Sequence, residues 1–140
     1  MKREFVEPQR VSAVVMMGKR PRPAHPYMLE KGFMLLSIAG LDELDRRLAD
    51  RSLGMQAVRV LVAMARSCDY ENRVRAGQKD LAAHLEMDQS AVSKAIRSLI
   101  TCGMIEAPES SRGYYRISPR LLWKGSARTL KVALTERQAA

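Results

Sequence analysis

The chain has few of the residues from which metal centres are built. Only two cysteines and two histidines occur among its 140 residues. Cys68 and Cys102 belong to no CxxC pair and have no histidine nearby in the sequence. A metal ion needs several such ligands that converge on one point. The sequence therefore predicts no metal site. Two reduced thiols at the ends of apolar helices favour a cytoplasmic protein.

Catalytic motifs are missing as well. The sequence contains no glycine-rich phosphate loop, no HExxH and no GxSxG, the patterns that place phosphate-binding amides, zinc ligands or a nucleophilic serine. Neither histidine has a sequence partner that would make it a general base, and the carboxylates are scattered over helical surfaces. We therefore predict that the protein is not an enzyme and uses no cofactor or small-molecule ligand.

Long hydrophobic runs are absent too. The longest apolar run, Phe33 to Leu41, is interrupted by Ser37 and Gly40. About 20 apolar residues are needed to cross a bilayer as a helix, and the first residues do not follow the pattern of a signal peptide. The sequence thus predicts a soluble protein without a membrane partner.

Acidic residues are fewer than basic ones, which gives a net charge of +9, and the excess is segregated. Residues 1–31 carry +4, residues 32–108 carry no net charge, and residues 109–140 carry +5. Basic segments that flank a neutral core suit contacts with phosphates outside a reading element. The alternative is that both basic ends are simply solvated.

Residues 77–107 have the pattern of two short helices joined by a tight turn. Leu81, Ala82 and Leu85 form one apolar edge, and residues 86–88 break the periodicity. Asp88 is expected to cap the second helix by accepting a backbone N–H at its carboxylate. A buried stripe then follows at helical spacing: Val92, Ile96, Leu99 and Ile100. This layout is typical of a helix-turn-helix, whose second helix enters the DNA major groove.

The opposite face of the second helix contains no acidic residue, which favours a polyanionic partner. Its members are Gln89, Ser90, Ser93, Lys94 and Arg97. We expect them to contact double-stranded DNA in the major groove, where Gln pairs with adenine and Arg with guanine. Lys79, in the first turn of the preceding helix, is expected to meet a phosphate. The alternative is an ordinary amphipathic helix pair with a polar surface.

The following residues predict a small antiparallel sheet. Gly103 is expected to end the helix in the left-handed conformation. Strands are predicted at 104–107 and 114–117, with a wing at 109–113 that carries Arg112 near its tip. Residues 73–75 supply a third strand. The predicted fold is mostly α with a small antiparallel β-wing, a winged helix-turn-helix.

The sequence predicts three parts. A basic arm at 1–31 precedes a winged-helix domain at 32–126, and a C-terminal helix follows at 127–140. In the arm, residues 11–17 suggest a strand. Lys19, Arg20 and Arg22 lie among prolines, in an extended segment that suits a DNA minor groove or backbone; a plain linker is the alternative.

Further helices are predicted at 42–50 and 52–68. The first has Leu41, Leu44 and Leu48 as its inner stripe, and the second is the long support helix of the domain. Residues 32–39 fit a strand or a helix. Pro119 can start a helical turn, and Trp123 is expected in the core.

The predicted C-terminal helix has one apolar face, formed by Leu130, Ala133 and Leu134. An isolated helix of this length is marginal in water. It must therefore pack on its own domain or on another subunit, and we predict a homodimer built partly from it.

Residues 58–126 resemble plasmid replication proteins of the RepL type. The resemblance is carried by the helix-turn-helix and by two short motifs, Arg116-Ile117-Ser118-Pro119 and Trp123-Lys124-Gly125. Ser118 stands where that family usually has Asn. The helix-turn-helix part also resembles MarR-like and Crp-like regulators. The resemblance implies DNA binding in plasmid replication or maintenance. Transcription regulation as a repressor, and a winged helix used only for protein contacts, are the alternatives.

Overall fold

The computed structural model describes residues 33–110 and 113–139. The predicted strand at 11–17, the arm cations Lys19, Arg20 and Arg22, and Arg112 in the predicted wing lie outside the described residues. Residues Met34–Ala140 belong to one compact unit. In the described part of the chain no helix has the length and apolar character that crossing a bilayer requires.

The described residues form five helices and five short strands. The helices are α1 (Ile38–Ala49), α2 (Met55–Ser67), α3 (Gln78–Leu85), α4 (Gln89–Thr101) and α5 (Ala127–Ala139). The strands are β1 (Leu35–Leu36), β2 (Arg73–Val74), β3 (Ile105–Glu106), β4 (Tyr115–Ile117) and β5 (Leu122–Trp123). The prediction of a mostly helical fold with a small antiparallel sheet is confirmed.

The three-stranded sheet has the order β2-β4-β3, with both pairs antiparallel. Arg73 pairs with Arg116 across β2 and β4, and Ile105 pairs with Ile117 across β3 and β4. Gly103 precedes β3 with φ +74, the left-handed conformation expected for the residue that ends a helix. All three strands of this sheet lie where the sequence predicts them.

A second sheet pairs β1 with β5, so that Leu35 lies opposite Trp123. The sequence did not predict β5. Pro119 begins the single helical turn that the sequence predicts: the carbonyl of Ser118 accepts the N–H of Leu121 at 3.0 Å and that of Leu122 at 3.3 Å. Proline suits that position because its ring fixes φ near the required value. The turn directs the chain back toward β1.

One hydrophobic core joins α2, α4 and the three-stranded sheet. The apolar stripe of α4 faces it with Val92, Ile96 and Leu99 at 1% exposure or less. Helix α2 contributes a second stripe that includes Val60 and Met64, both without exposed surface. Burying each such side chain stabilises the fold by roughly 1.5–3 kcal/mol. The helical period of α4 therefore identifies its buried side correctly, whereas on α2 Met64 was predicted to face the core and Val60 was not.

Helix α1 begins four residues earlier than predicted, because the hydroxyl of Ser37 accepts the N–H of Gly40 and caps it. Leu44 and Leu48 are half-buried against the core, but Leu41 is 42% exposed. The inward position predicted for Leu41 is wrong. The helix approaches Arg120 and Leu121 through Gly40, and Leu41 lies about 100° further round the helix.

Candidate nucleic-acid interface

Helices α3 and α4 are joined by three residues, of which Glu86 makes the reversal. Glu86 has φ 55 and ψ 44, and its N–H caps the end of α3 by donating to Ala82 and Ala83. The N–H of Met87 also donates to Ala82, at 3.0 Å, and its side chain packs against the core. A residue other than glycine rarely takes this left-handed conformation. The turn therefore stores some backbone strain and fixes the angle at which α4 leaves.

Asp88 precedes α4 in extended conformation, at the N-cap position that the sequence predicts. Its side chain makes no capping hydrogen bond, so the predicted role of its carboxylate is wrong. The backbone carbonyl of Asp88 accepts the N–H of Val92 at 3.1 Å, as in any helix start. The extended backbone alone begins the helix here, while the exposed carboxylate still interacts favourably with the positive end of the helix dipole.

The surface of α4 opposite the core, here called the α4 polar face, consists of Gln89, Ser90, Ser93, Lys94 and Arg97. Ser93 is half-buried and the other four are exposed. No hydrogen bond or ion pair joins any of these five side chains to another residue within 33–110 and 113–139. Their donors are consequently free to meet an external partner.

Other hydroxyls on α4 are already engaged. The hydroxyl of Ser98 donates to the carbonyl of Lys94 at 3.2 Å, and that of Thr101 donates to the carbonyl of Arg97 at 2.9 Å. Such bonds to the preceding helical turn satisfy the hydroxyl without an outside partner. The free polar donors are thus concentrated in the first two-thirds of the helix.

Lys94 and Arg97 line one wall of a shallow depression of about 350 Å³ between α1 and α4. We call it the α1–α4 cleft; its lining residues are Arg47, Ser52, Lys94, Arg97, Ser98, Thr101 and Cys102. Three of these are cations and none is acidic. Arg47 was missed by sequence reasoning, because nothing local in the sequence indicates that α1 lies beside α4.

The orientation of Arg47 is set by Glu43, one helical turn earlier. The Nε of Arg47 donates to Glu43 at 2.9 Å, and Arg46 contacts the other carboxylate oxygen. These hydrogen bonds, first that from Arg47 and then that from Arg46, hold the pKa of Glu43 below its ordinary value. The carboxylate therefore stays charged at neutral pH, and the terminal nitrogens of Arg47 remain available beside the cleft.

Lys79 is the second residue of α3 and is exposed, as a phosphate contact requires. Its neighbour Gln78 donates through Nε2 to the hydroxyl of Tyr115 on β4, at 3.1 Å. Arg75, just after β2, stacks over the ring of Tyr114 at 5.3 Å. Arg75 and Tyr114 are both exposed and were not predicted as site residues. The Gln78–Tyr115 bond joins the sheet to the start of α3, and the Arg75–Tyr114 contact joins the ends of β2 and β4.

The Trp-Lys-Gly motif has a structural role in this fold. Trp123 is 2% exposed, as predicted, and its Nε1 donates to the hydroxyl of Thr129 at 3.0 Å. A Cβ on Gly125 would lie 2.6 Å from that Nε1 and 2.7 Å from the carbonyl of Tyr70, so only glycine fits. The motif closes the C-terminal segment onto the α2–β2 loop.

Lys124, the centre of this motif, is turned inward. Its Nζ donates to the carbonyl of Cys68 at 2.6 Å and lies 5.5 Å from the ring centroid of Tyr70. A cation at this position also compensates the negative end of the α2 dipole. Cys68 itself is buried, and burial raises the pKa of its thiol.

Helix α5 has the bounds that the sequence predicts up to Ala139. Ala133 is buried at 4% exposure, and Leu130 and Leu134 are half-buried within the single chain. Val132, on another side of the helix, is 53% exposed. The predicted apolar face is therefore the more covered side of α5, already partly enclosed in one copy.

In the described ranges, no group of three or more His, Cys, Asp or Glu side chains is placed to hold a metal ion. No protein-family model, curated protein or solved structure matches the chain.

Proposed function

We propose that this protein is a winged helix-turn-helix that binds double-stranded DNA, with α4 as the recognition helix. The proposal is supported by the order of six consecutive elements, α2-β2-α3-α4-β3-β4, and by the central place of β4 in the sheet. In such a fold α2 supports the helix pair α3–α4, and the β3–β4 loop is the wing. The second helix of the pair is the one presented to the major groove.

The observation that carries the proposal is the state of the α4 polar face. Five polar side chains lie together on one surface, four of them exposed and Ser93 half-buried, and no acid or other side chain of the described residues engages them. A helix surface that only faces solvent commonly mixes acids with bases at spacings of three and four. A face with cations and no acids is instead complementary to phosphates and to the acceptor-rich edge of guanine.

Residues at the two ends of the α4 polar face are proposed to contact different parts of the DNA. From Gln89 to Arg97 the helix rises by about 12 Å, which equals the width of the major groove, about 12 Å. With the N-terminal residues against the bases, Gln89, Ser90 and Ser93 read base edges. Lys94 and Arg97 then lie near the groove wall, where they hold phosphates and the nearer base edges.

Residues outside α4 are proposed to add contacts that do not depend on the DNA sequence. Lys79 at the start of α3 is exposed, and we propose that it binds a phosphate. Arg112 in the wing and the arm residues Lys19, Arg20 and Arg22 are proposed to follow the backbone or the minor groove, in line with the net charges of +4 and +5 at the two ends.

The resemblance to RepL-type proteins supports a role in plasmid replication or maintenance. A transcriptional repressor would use the same module, and the position of the protein's binding site, at an origin or in a promoter, would separate the two roles. A homodimer is part of the proposal, because two-fold DNA sites are bound by two-fold proteins.

Fluorescence anisotropy with a labelled random-sequence duplex tests DNA binding. The double variant Lys94→Ala with Arg97→Ala should bind more weakly than the wild type, and its log–log dependence on salt should be less steep by about 0.9 for each phosphate that is no longer neutralised. Arg66→Ala is the matched control, since Arg66 is an exposed arginine on α2 in a different groove. Equal affinity of the double variant and the wild type would contradict α4 as the DNA-binding helix, and no binding of duplex by the wild type would favour the alternative of a winged helix used only for protein contacts.

A further inference from the structure

Helix α1 precedes the six elements proposed to form the winged helix, yet it places a cation next to the recognition helix. We propose that Arg47 is a DNA-backbone contact, and that it joins Lys94 and Arg97 around one phosphate held at the α1–α4 cleft. This inference rests on the proposed function, and it extends the interface beyond the helix-turn-helix to α1.

The charge of the cleft is complementary to an anion from outside. Its three cations are accompanied by no lining carboxylate, and only Arg47 has an ion-pair partner among the described residues, through its Nε. The hydroxyls of Ser98 and Thr101 donate to backbone carbonyls. A phosphate oxyanion would be attracted to these cations and would accept hydrogen bonds from the guanidinium groups.

The hydroxyl of Ser52 is occupied as well. It lies 2.6 Å from the carboxylate of Asp50, which also accepts the N–H of Ser52 at 2.8 Å. These two bonds lower the pKa of Asp50, the hydroxyl contribution being the larger. That carboxylate does not line the cleft, although its charge also attracts Arg47 and Arg46.

The position of α1 is fixed by contacts with the C-terminal segment. The N–H of Ser37 donates to the carbonyl of Leu121 at 2.9 Å, and β1 pairs with β5. Gly40 lets the helix approach closely, since a Cβ there would lie 2.8 Å from the Cα of Leu121. With the helix and the Glu43 contact both fixed, Arg47 loses little conformational freedom on binding, which favours affinity.

The cleft also lies where a phosphate is expected. Arg97 is about 12 Å along α4 from Gln89, so it reaches the edge of a major groove about 12 Å wide when the start of the helix faces the bases. The sugar-phosphate strand that borders the groove then passes the C-terminal part of α4. Arg47 lies across the cleft from that part of the helix.

Arg46 provides a matched control for Arg47. Both arginines contact Glu43, but Arg46 is more exposed, with 68% of its side-chain surface accessible against 33% for Arg47, and it does not line the cleft. We expect Arg47→Gln to weaken binding to a random duplex by about 3- to 10-fold and to reduce the salt slope by about 0.9, the value for one phosphate. Arg46→Gln should change affinity by less than about 2-fold, since an exposed charge off the contact surface adds little.

Arg47→Lys separates charge from structure, because it keeps the cation and should retain more affinity than Arg47→Gln. If Arg47→Gln and Arg46→Gln change the affinity equally, while the Lys94→Ala, Arg97→Ala double variant still binds more weakly, the role of Arg47 is overturned. The proposed function would stand in that case. No binding of duplex by the wild-type protein would overturn the proposed function together with this inference.

Cys102 gives a second readout that needs no change at Arg47. It is half-buried and lines the cleft, whereas Cys68 is 1% exposed. Duplex DNA should therefore slow alkylation of Cys102 in the wild-type protein by several-fold, with mass spectrometry of the digested protein assigning the modified thiol. An unchanged alkylation rate under saturating DNA would show that no strand covers the cleft, and would overturn the inference.

Discussion

The side-chain amide of Asn72 donates to the carbonyl of Leu122 at 2.7 Å, which joins the α2–β2 loop to β5. The same nitrogen donates to the carbonyl of Ile117 at 3.1 Å, and the amide oxygen accepts the N–H of Lys124. Asn72 has no exposed surface and a φ of 64. One buried residue therefore satisfies three backbone groups and holds the C-terminal segment in place.

Replacing Asn72 should be among the most destabilising single changes in the chain. Asn72→Ala leaves buried carbonyl and N–H groups without partners and keeps an unfavourable left-handed backbone, so we expect a loss of about 3–5 kcal/mol in the free energy of unfolding. Asn72→Gly removes the same bonds without the backbone strain, and should lose about 1 kcal/mol less. Urea denaturation measures both; equal stability of Asn72→Ala and wild type would contradict this role.

The turn between α3 and α4 allows a second test of left-handed backbone. Glu86 has φ 55, a conformation that costs a residue with a Cβ about 1–2 kcal/mol. Glu86→Gly should therefore be more stable than Glu86→Ala by about 1 kcal/mol, since glycine takes this backbone without steric cost. Thermal denaturation of the two variants checks the order. The reverse order would mean that a Cβ at this position costs less than its left-handed backbone implies.

Stability should fall in acid partly through Asp69. Burial opposes the charged form of Asp69, but the N–H groups of Arg73 and Glu71 and the guanidinium of Arg73 outweigh it and lower the pKa of this carboxyl. Because the folded pKa lies below the unfolded value of about 3.9, the carboxylate stabilises the fold above that pH and loses its contribution as pH falls through the folded pKa.

Asp69→Asn tests this pH dependence. The melting temperature of the variant should be lower than that of the wild type at neutral pH, and the difference should shrink as the pH drops below about 4. Asp80→Asn serves as a control, since Asp80 is exposed in the first turn of α3 and accepts none of these bonds. A difference between Asp69→Asn and wild type that stays constant down to low pH would contradict the assignment.

Much of the fold followed from local sequence patterns. The apolar periods of α2 and α4, the glycine at 103 and the β-branched strand at Ile117 specify their own conformations and their buried sides. What the sequence did not indicate depends on distant partners. The pairing of β1 with β5 joins two strands of two residues each, too short for an alternating pattern to be visible.

The candidate site shows the same division. The α4 polar face was predictable because all its residues lie on one helix, so the helical period alone shows that they share a side. Arg47 was not, because its position beside Lys94 depends on how α1 packs, and that packing is set by Gly40 against Leu121. The capping bond expected from Asp88 is absent, since an extended residue at this position can begin a helix without using its side chain.

Self-association through α5 can be tested with two changes on one helix. In a homodimer that uses the apolar face, Leu134→Asp should shift the protein toward monomer, because a charge would be buried at the interface. Val132→Asp lies on an exposed side of the same helix and should leave the assembly unchanged. Sedimentation velocity decides the matter, and a wild-type monomer at tens of micromolar would contradict the dimer.

The most direct test of the central claim is to select duplexes from a random pool with the wild-type protein and with a Gln89→Ala, Ser93→Ala variant. We predict that the wild type enriches a defined site, that methylation of guanine N7 within it blocks binding, and that the variant retains non-specific affinity while its discrimination falls by roughly 1–3 kcal/mol for each base that is no longer read. A wild-type protein that enriches no sequence, or a variant that enriches the same site equally well, would contradict recognition of DNA by the α4 polar face.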